Sequence, residues 1–207
     1  REIDGTWYYF SKGQSPVGAL YYTGVTPIMG ISLLGNDKET AVDKMVLMYV
    51  KSGRTYPSEA LGEGGAPDIE TFCEILYDEA VIEGVKPEVV FAQAMLETGY
   101  LQFGGDVQVG QFNFAGLGAT GGGVPGHSFD SVAEGLRAQV QHLKAYASDQ
   151  PLNQACVDPR FDFVTRNTAP YVEWLGINEN PYGRGWAASL RYGINLVQLY
   201  MEPMYLL

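Results

Sequence analysis

Hydrophobic positions recur at helical spacing through most of this chain, after an opening of two aromatic, β-branched runs. TWYYF (6–10) and ALYYTGV (19–25) flank SKGQSPVG, a stretch of turn chemistry, and together predict a hairpin. A first helix is expected over 40–51. Thr40 caps it, Met45, Met48 and Tyr49 share one face, and Gly53 stops it. Residues 53–67 are rich in glycine and proline and predict a loop. A second helix starts near Pro67–Asp68, because Ile69, Phe72, Cys73, Leu76 and Ala80 follow the spacing of a buried stripe up to Gly84. Pro87 suits the first turn of a third helix, 87–98, and Gly99 suits its C-terminal cap.

Residues 99–129 are too dense in glycine for a regular helix and predict loops with short strands, in which backbone can approach a ligand closely. Ser131 and Glu134 then give capping-box spacing for a long helix to about Ala147, with Val132, Leu136, Val140 and Leu143 inward. Loop chemistry follows over 148–182, with a short helix around 169–175. A last helix is expected from about Arg184 to Tyr200, with Trp186, Leu190, Ile194 and Val197 in register. The fold class is therefore mainly α (α+β), with a hairpin-like N-terminal extension. Residues 1–37 read as that extension, or as the tail of an upstream module, and 38–207 as the main domain.

Composition narrows the function. The chain has 207 residues, 18% charged and 13% aromatic, with 26 glycines. That balance suits a cleft that stacks on ring-shaped ligands. The formal net charge is −11 and no Lys/Arg cluster occurs, which argues against nucleic acid as a partner. No apolar run approaches the roughly 18 residues of a membrane span. The start at Arg1 reads as that of a mature fragment whose export signal lies outside it. Cys73 and Cys156, with His127 and His142, make no zinc pattern, and no metal or cofactor is expected. The two cysteines are either buried thiols or one intrachain disulfide, Cys73 to Cys156, that would pin the Cys156 loop to a helix. A monomer is expected.

Glu97 is the residue placed for chemistry. The helix before it is nearly devoid of charge between Glu88 and Glu97 and runs directly into the glycine-aromatic segment. A carboxylate at a helix C-terminus meets the negative end of the dipole, and an apolar pocket desolvates it. Both favour the protonated form, which a general acid needs near neutral pH. Gln93, four residues earlier on the same face, is in position to bond Glu97 or a bound sugar.

The motif Ala92-Gln93-Ala94-Met95-Leu96-Glu97-Thr98-Gly99 is followed by Asn113-Phe114-Ala115-Gly116-Leu117-Gly118 and by Phe129-Asp130-Ser131-Val132-Ala133-Glu134-Gly135. Trp186-Ala187 stands near the last helix. In this order the motifs resemble those of the bacterial glucosaminidase family of peptidoglycan hydrolases, over about residues 68 to 200. The resemblance implies a lysozyme-like, two-lobed helical domain. It implies cleavage after N-acetylglucosamine in peptidoglycan, at the GlcNAc-β-1,4-MurNAc bond, by a secreted or wall-associated autolysin-type enzyme. It also carries the general-acid role onto Glu97.

One departure bears on mechanism. Many family members bring a second carboxylate on a hairpin before the long helix, but the stretch from Ala119 to His127 contains no acid. The candidates left are Asp130 and Asp106. A carboxyl separation of about 5 Å would give retention, and one of about 6.5–9.5 Å inversion. If neither acid reaches, the substrate's 2-acetamido group is the alternative nucleophile, with Tyr171 as the candidate tyrosine that orients the ring. Substrate-binding candidates are Gln93, Tyr100, Phe112, Asn113, Phe114, Tyr171 and Trp174, with Phe103 a further aromatic. Two other readings share the scaffold: a muramidase or lytic transglycosylase, and a non-catalytic wall-binding module.

Overall fold

A computed structural model describes residues 2–3, 6–10, 20–23, 26–119 and 121–207. The turn SKGQSPVG and Thr120 lie outside them. Three short strands, β1 (Glu2–Ile3), β2 (Thr6–Phe10) and β3 (Leu20–Thr23), pair antiparallel in that order, with Tyr8 opposite Thr23. The rest is helical: α1 (Lys38–Lys51), α2 (Ser58–Glu63), α3 (Ile69–Glu83), α4 (Pro87–Thr98), α5 (Val132–Ala147), α6 (Tyr192–Leu196) and α7 (Glu202–Tyr205). A π-helical turn, Val197–Met201, joins the last two. This is the mainly α architecture that the hydrophobic spacing predicts. Among the described residues no helix is long and apolar enough to cross a membrane.

α3 packs against α1, α4 and α5. α4 is buried on nearly every side, with Val89, Val90, Phe91, Ala92, Ala94 and Met95 all fully buried. A helix without a polar face belongs in the middle of a domain. Each large side chain buried there contributes about 1.5–3 kcal/mol, so the C-terminal end of α4, where Glu97 sits, is held rigidly.

Buried carboxylates fasten the loops. Glu88, in the first turn of α4, accepts from Ser32 Oγ at 2.9 Å and from Leu33 N at 2.8 Å. Glu173 accepts from both the backbone N and the Oγ1 of Thr26 at 2.8 Å. Ile28 and Leu34 are buried between these ties. Residues 26–36, which the sequence places in the extension, therefore pack on the helical body. Glu83 accepts from Lys144 Nζ at 2.8 Å and from the backbone N of Asn153 and Gln154 at 2.9 and 3.0 Å. Those bonds hold the loop after α5 to the end of α3.

Several elements differ from the sequence expectation. α1 starts at Lys38, because Asp37 rather than Thr40 is the cap and accepts from Thr40 N at 2.8 Å. The loop over 53–67 contains the short helix α2. The last helix begins at Tyr192, not Arg184. The backbone before it bonds elsewhere: Trp186 N and Ala187 N both donate to Leu175 O, and Ile177 N donates to Ala187 O. Arg191, at φ 62°, then turns the chain into α6. The disulfide is also corrected: both cysteines are free. Cys73 is fully buried on α3, where burial pushes its thiol pKa well up, and Cys156 is exposed, with Sγ 3.6 Å from Asp158 O.

Candidate active site

Glu97 stands in the last turn of α4, where Gly99 (φ 61°) caps the helix in the left-handed conformation. Thr98 braces the backbone beyond the cap. Its Oγ1 donates to Ala94 O at 2.6 Å and accepts from Leu101 N at 2.8 Å, and its carbonyl accepts from Phe103 N at 2.9 Å. The bracing holds Tyr100, Leu101 and Phe103 at φ 59°, 60° and 51°, a region L-residues rarely occupy. Such strain, of order 1–3 kcal/mol per residue, persists only where the surroundings enforce it and clusters at functional sites.

A chain of buried side chains leads to the acid from behind. Gln139 Nε2, on α5, donates to Val90 O at 3.1 Å and to Gln93 Oε1 at 3.0 Å. Gln93 Nε2 donates to Tyr192 Oη at 3.0 Å, and Tyr192 Oη lies 2.5 Å from Glu97 Oε1. The direction of this chain is fixed at its far end. A backbone carbonyl only accepts, so the Gln139 amide must turn its NH2 towards Val90, although its own Oε1 then has no partner among the described residues. Gln93 must then accept through oxygen and donate through nitrogen. Tyr192 therefore receives a hydrogen bond and gives its own proton to Glu97 Oε1. That leaves Oε2 as the oxygen free to carry a transferable proton.

The electrostatics agree. Glu97 as a whole residue is exposed to the cleft, while its Oε1 is engaged by Tyr192. Burial raises its pKa above the ordinary value of 4.5, and the bond from Tyr192 opposes that rise in part. Burial, then the neighbouring Glu97 charge, hold Tyr192 far above the ordinary phenol value, so it remains a donor.

Glu97 lies where two recesses meet. The larger, about 400 Å³, is bounded by the 115–119 turn, His142, Tyr146, Arg160, Phe163 and Trp186. The smaller, about 180 Å³, is bounded by Phe103, the loop 104–107 with Asp106, and Asn113. A chain-like ligand crossing both would pass over the carboxyl.

The other sequence-chosen residues divide. Asp106 shares the smaller recess with Glu97, and its Oδ1 accepts from Gly123 N at 3.1 Å. Asp130 is exposed at the start of α5 and bounds neither recess; its backbone N donates to Glu134 Oε2 at 2.7 Å. Asn113 is buried and ties the cleft wall together, donating to Leu117 O and His127 O, both at 3.0 Å. Gln93 is fully buried behind Tyr192 and touches neither recess. Phe112 and Phe114 are corrected from sugar platforms to core. Phe114 is fully buried with its ring 5.1 Å from that of Phe72, and the Phe112 ring fills the space beside Gly64. Tyr171 and Trp174 pack edge to face at 5.0 Å, away from both recesses. Tyr100 pairs with Tyr200 at 5.7 Å, and burial pushes its phenol up to about 12. Tyr192, Arg160, Phe163, Tyr146 and Gln139 escaped sequence reasoning: they lie on loops or far helices, and no spacing links them to Glu97. Only Trp186-Ala187 carried a motif signal.

The glucosaminidase family, described as mannosyl-glycoprotein endo-beta-N-acetylglucosaminidase, matches residues 73–202. The chain belongs to this family. Membership makes this glucosaminidase-family chain a glycoside hydrolase in general terms, directed at peptidoglycan and acting outside the cell or at its wall. The matched span contains Glu97, Asp106, Gln139, Arg160 and Tyr192. A protein of Borreliella burgdorferi, itself described as uncharacterized, is 45% identical over 171 residues, covering 79% of this chain and 80% of its own length. No solved structure matches the glucosaminidase chain at a significant level.

Proposed function

We propose that this chain is an endo-β-N-acetylglucosaminidase that cuts the GlcNAc-β-1,4-MurNAc bond of peptidoglycan, with Glu97 as general acid. The reading is carried by one observation: a burial-raised carboxyl at the junction of two recesses, with one oxygen engaged by Tyr192. The glycan crosses both recesses. The proton on Oε2 passes to the departing glycosidic oxygen as the bond to the anomeric carbon breaks. Charge then develops on the sugar ring, as in other glycosidases.

Asp106 is the protein group favoured to assist, because it shares the smaller recess with Glu97 and Asp130 does not. Its carboxylate anchors the Gly123 turn, so a water or the substrate's 2-acetamido group completes the reaction unless that turn moves. The secreted, autolysin-type role belongs to the same reading.

The test is digestion of purified cell wall by wild type and by Glu97→Gln, with mass analysis of the products. New reducing-end GlcNAc, lost in the variant, is the expected result. Reducing-end MurNAc or its anhydro form would replace this reading with a muramidase or a lytic transglycosylase. Binding to wall without release of sugar by the wild type would leave a binding module.

A further inference from the structure

We infer that the Arg160 side of the larger recess is a subsite for a carboxylate borne on a muramyl sugar. The inference rests on the reading that the cleft takes peptidoglycan.

Arg160 is half-buried, in a chain with eleven more acidic than basic groups, and it bounds the recess that contains Glu97. Its guanidinium forms no ion pair and no hydrogen bond among the described residues, although an arginine carries five N–H donors. Among the described residues Arg54 also has no side-chain bond but is exposed and bounds neither recess, and four other arginines differ. Arg137 grips Glu79, Arg166 donates to Ser148 O and Gln150 O, Arg184 bonds Thr165, and Arg191 bonds Gln198.

The nearby buried carboxylate is already engaged. Asp158 Oδ2 lies 2.7 Å from His142 Nδ1, and Asp158 Oδ1 accepts from the backbone N of Arg160 at 2.8 Å. Asp158 thus fixes the Arg160 backbone without pairing with its side chain. The guanidinium lies instead over the Phe163 ring, 5.3 Å from its centroid. Phe163 is 77% exposed and bounds the same recess as Trp186. Trp186 is braced edge to face by His142 at 4.8 Å.

A planar cation on an exposed ring, with a second braced ring bounding the same recess, matches two chemical features at once. The fork takes a carboxylate in bidentate fashion. The rings take the C–H face of a hexose. N-acetylglucosamine has no carboxylate. A muramyl residue has one on its lactyl ether, or carries carboxylates on the peptide attached there. The subsite therefore reads the muramyl residue and sets the register of the strand over Glu97.

The test compares three glycan strands: stem peptides removed to free the lactyl carboxylates, the same strands with those carboxylates converted to methylamides, and strands retaining their peptides. Binding is measured in the Glu97→Gln background, so a wrong assignment of the cleaved bond does not affect the readout. Arg160→Gln is expected to weaken binding of a carboxylate-bearing strand about tenfold, the scale of one charge-assisted hydrogen bond. Binding of the methylamide strand should be unchanged. Loss confined to the first strand places the lactyl carboxylate at Arg160; loss confined to the third places a peptide carboxylate there. Equal loss on all three, or no loss on any, overturns the proposal.

Discussion

Tyr192→Phe is the sharpest perturbation of the acid. It removes one oxygen that lies 2.5 Å from Glu97 Oε1 and 3.0 Å from Gln93 Nε2. On the Gln93 side a fully buried amide loses a partner, which costs about 1–3 kcal/mol of stability. On the Glu97 side the ionised carboxylate loses a charge-assisted donor, worth roughly 1.5–3 kcal/mol when sealed from water. Solvent enters through the cleft mouth and replaces part of it, so the lower end applies. The lost bond favoured the ionised form, so the Glu97 pKa rises further. A general acid works while protonated, and the alkaline limb of the pH–kcat/KM profile follows its pKa. The variant should therefore lose activity at a higher pH than the wild type. Its maximal rate should fall about tenfold, because the proton is no longer confined to Oε2. The assay is a pH–rate series on soluble glycan fragments. An alkaline limb that stays put or moves to lower pH would refute the bond's assigned direction.

Glu97→Gln should stabilise the fold. A carboxyl whose folded pKa is raised costs stability once it is ionised, so the wild type loses stability as pH rises from about 4.5 through the folded pKa. The variant should melt higher at pH 7 and alike below pH 4, by calorimetry; equal melting at both would show that burial does not penalise the charge. Lys144→Met leaves Glu83, fully buried, with only two backbone donors. A loss of about 3 kcal/mol in urea unfolding is expected, and a loss below about 1 kcal/mol would contradict a dry pair. Gly193→Ala sets a Cβ 2.0 Å from Val172 O, so α6 must move away and carry Tyr192 off Glu97. Stability and activity should fall together, whereas Gly110→Ala, with open space around the new Cβ, should match the wild type in both.

Local periodicity carried the sequence as far as the helices. Pro87 and Gly99 bound α4 because one fixes φ for a first turn and the other accepts the left-handed cap; Ser131 and Glu134 mark α5 for similar local reasons. Glu97 was legible because its helix lacks other charges. The features beyond reach are long-range. Tyr192 meets Glu97 across 95 residues, and Gln139 meets Gln93 across 46, with no repeat to announce either pair. An apolar ring reads alike in a core or a cleft, so the sequence pattern does not separate Phe114 and Trp174 from Phe163. The last helix failed because Trp186 and Ala187 bond to Leu175, a partner that helical spacing does not reveal.

The proposed catalysis in this cleft depends on the protonation of one side chain. Carbon-13 NMR of Glu97 Cδ across pH 3 to 9, assigned by loss of the signal in Glu97→Gln, reads that proton directly. A midpoint clearly above 4.5, rising further in Tyr192→Phe, is the predicted result. A midpoint at or below 4.5, unmoved by the loss of the tyrosine hydroxyl, would show an ordinary ionised glutamate and contradict the general-acid role.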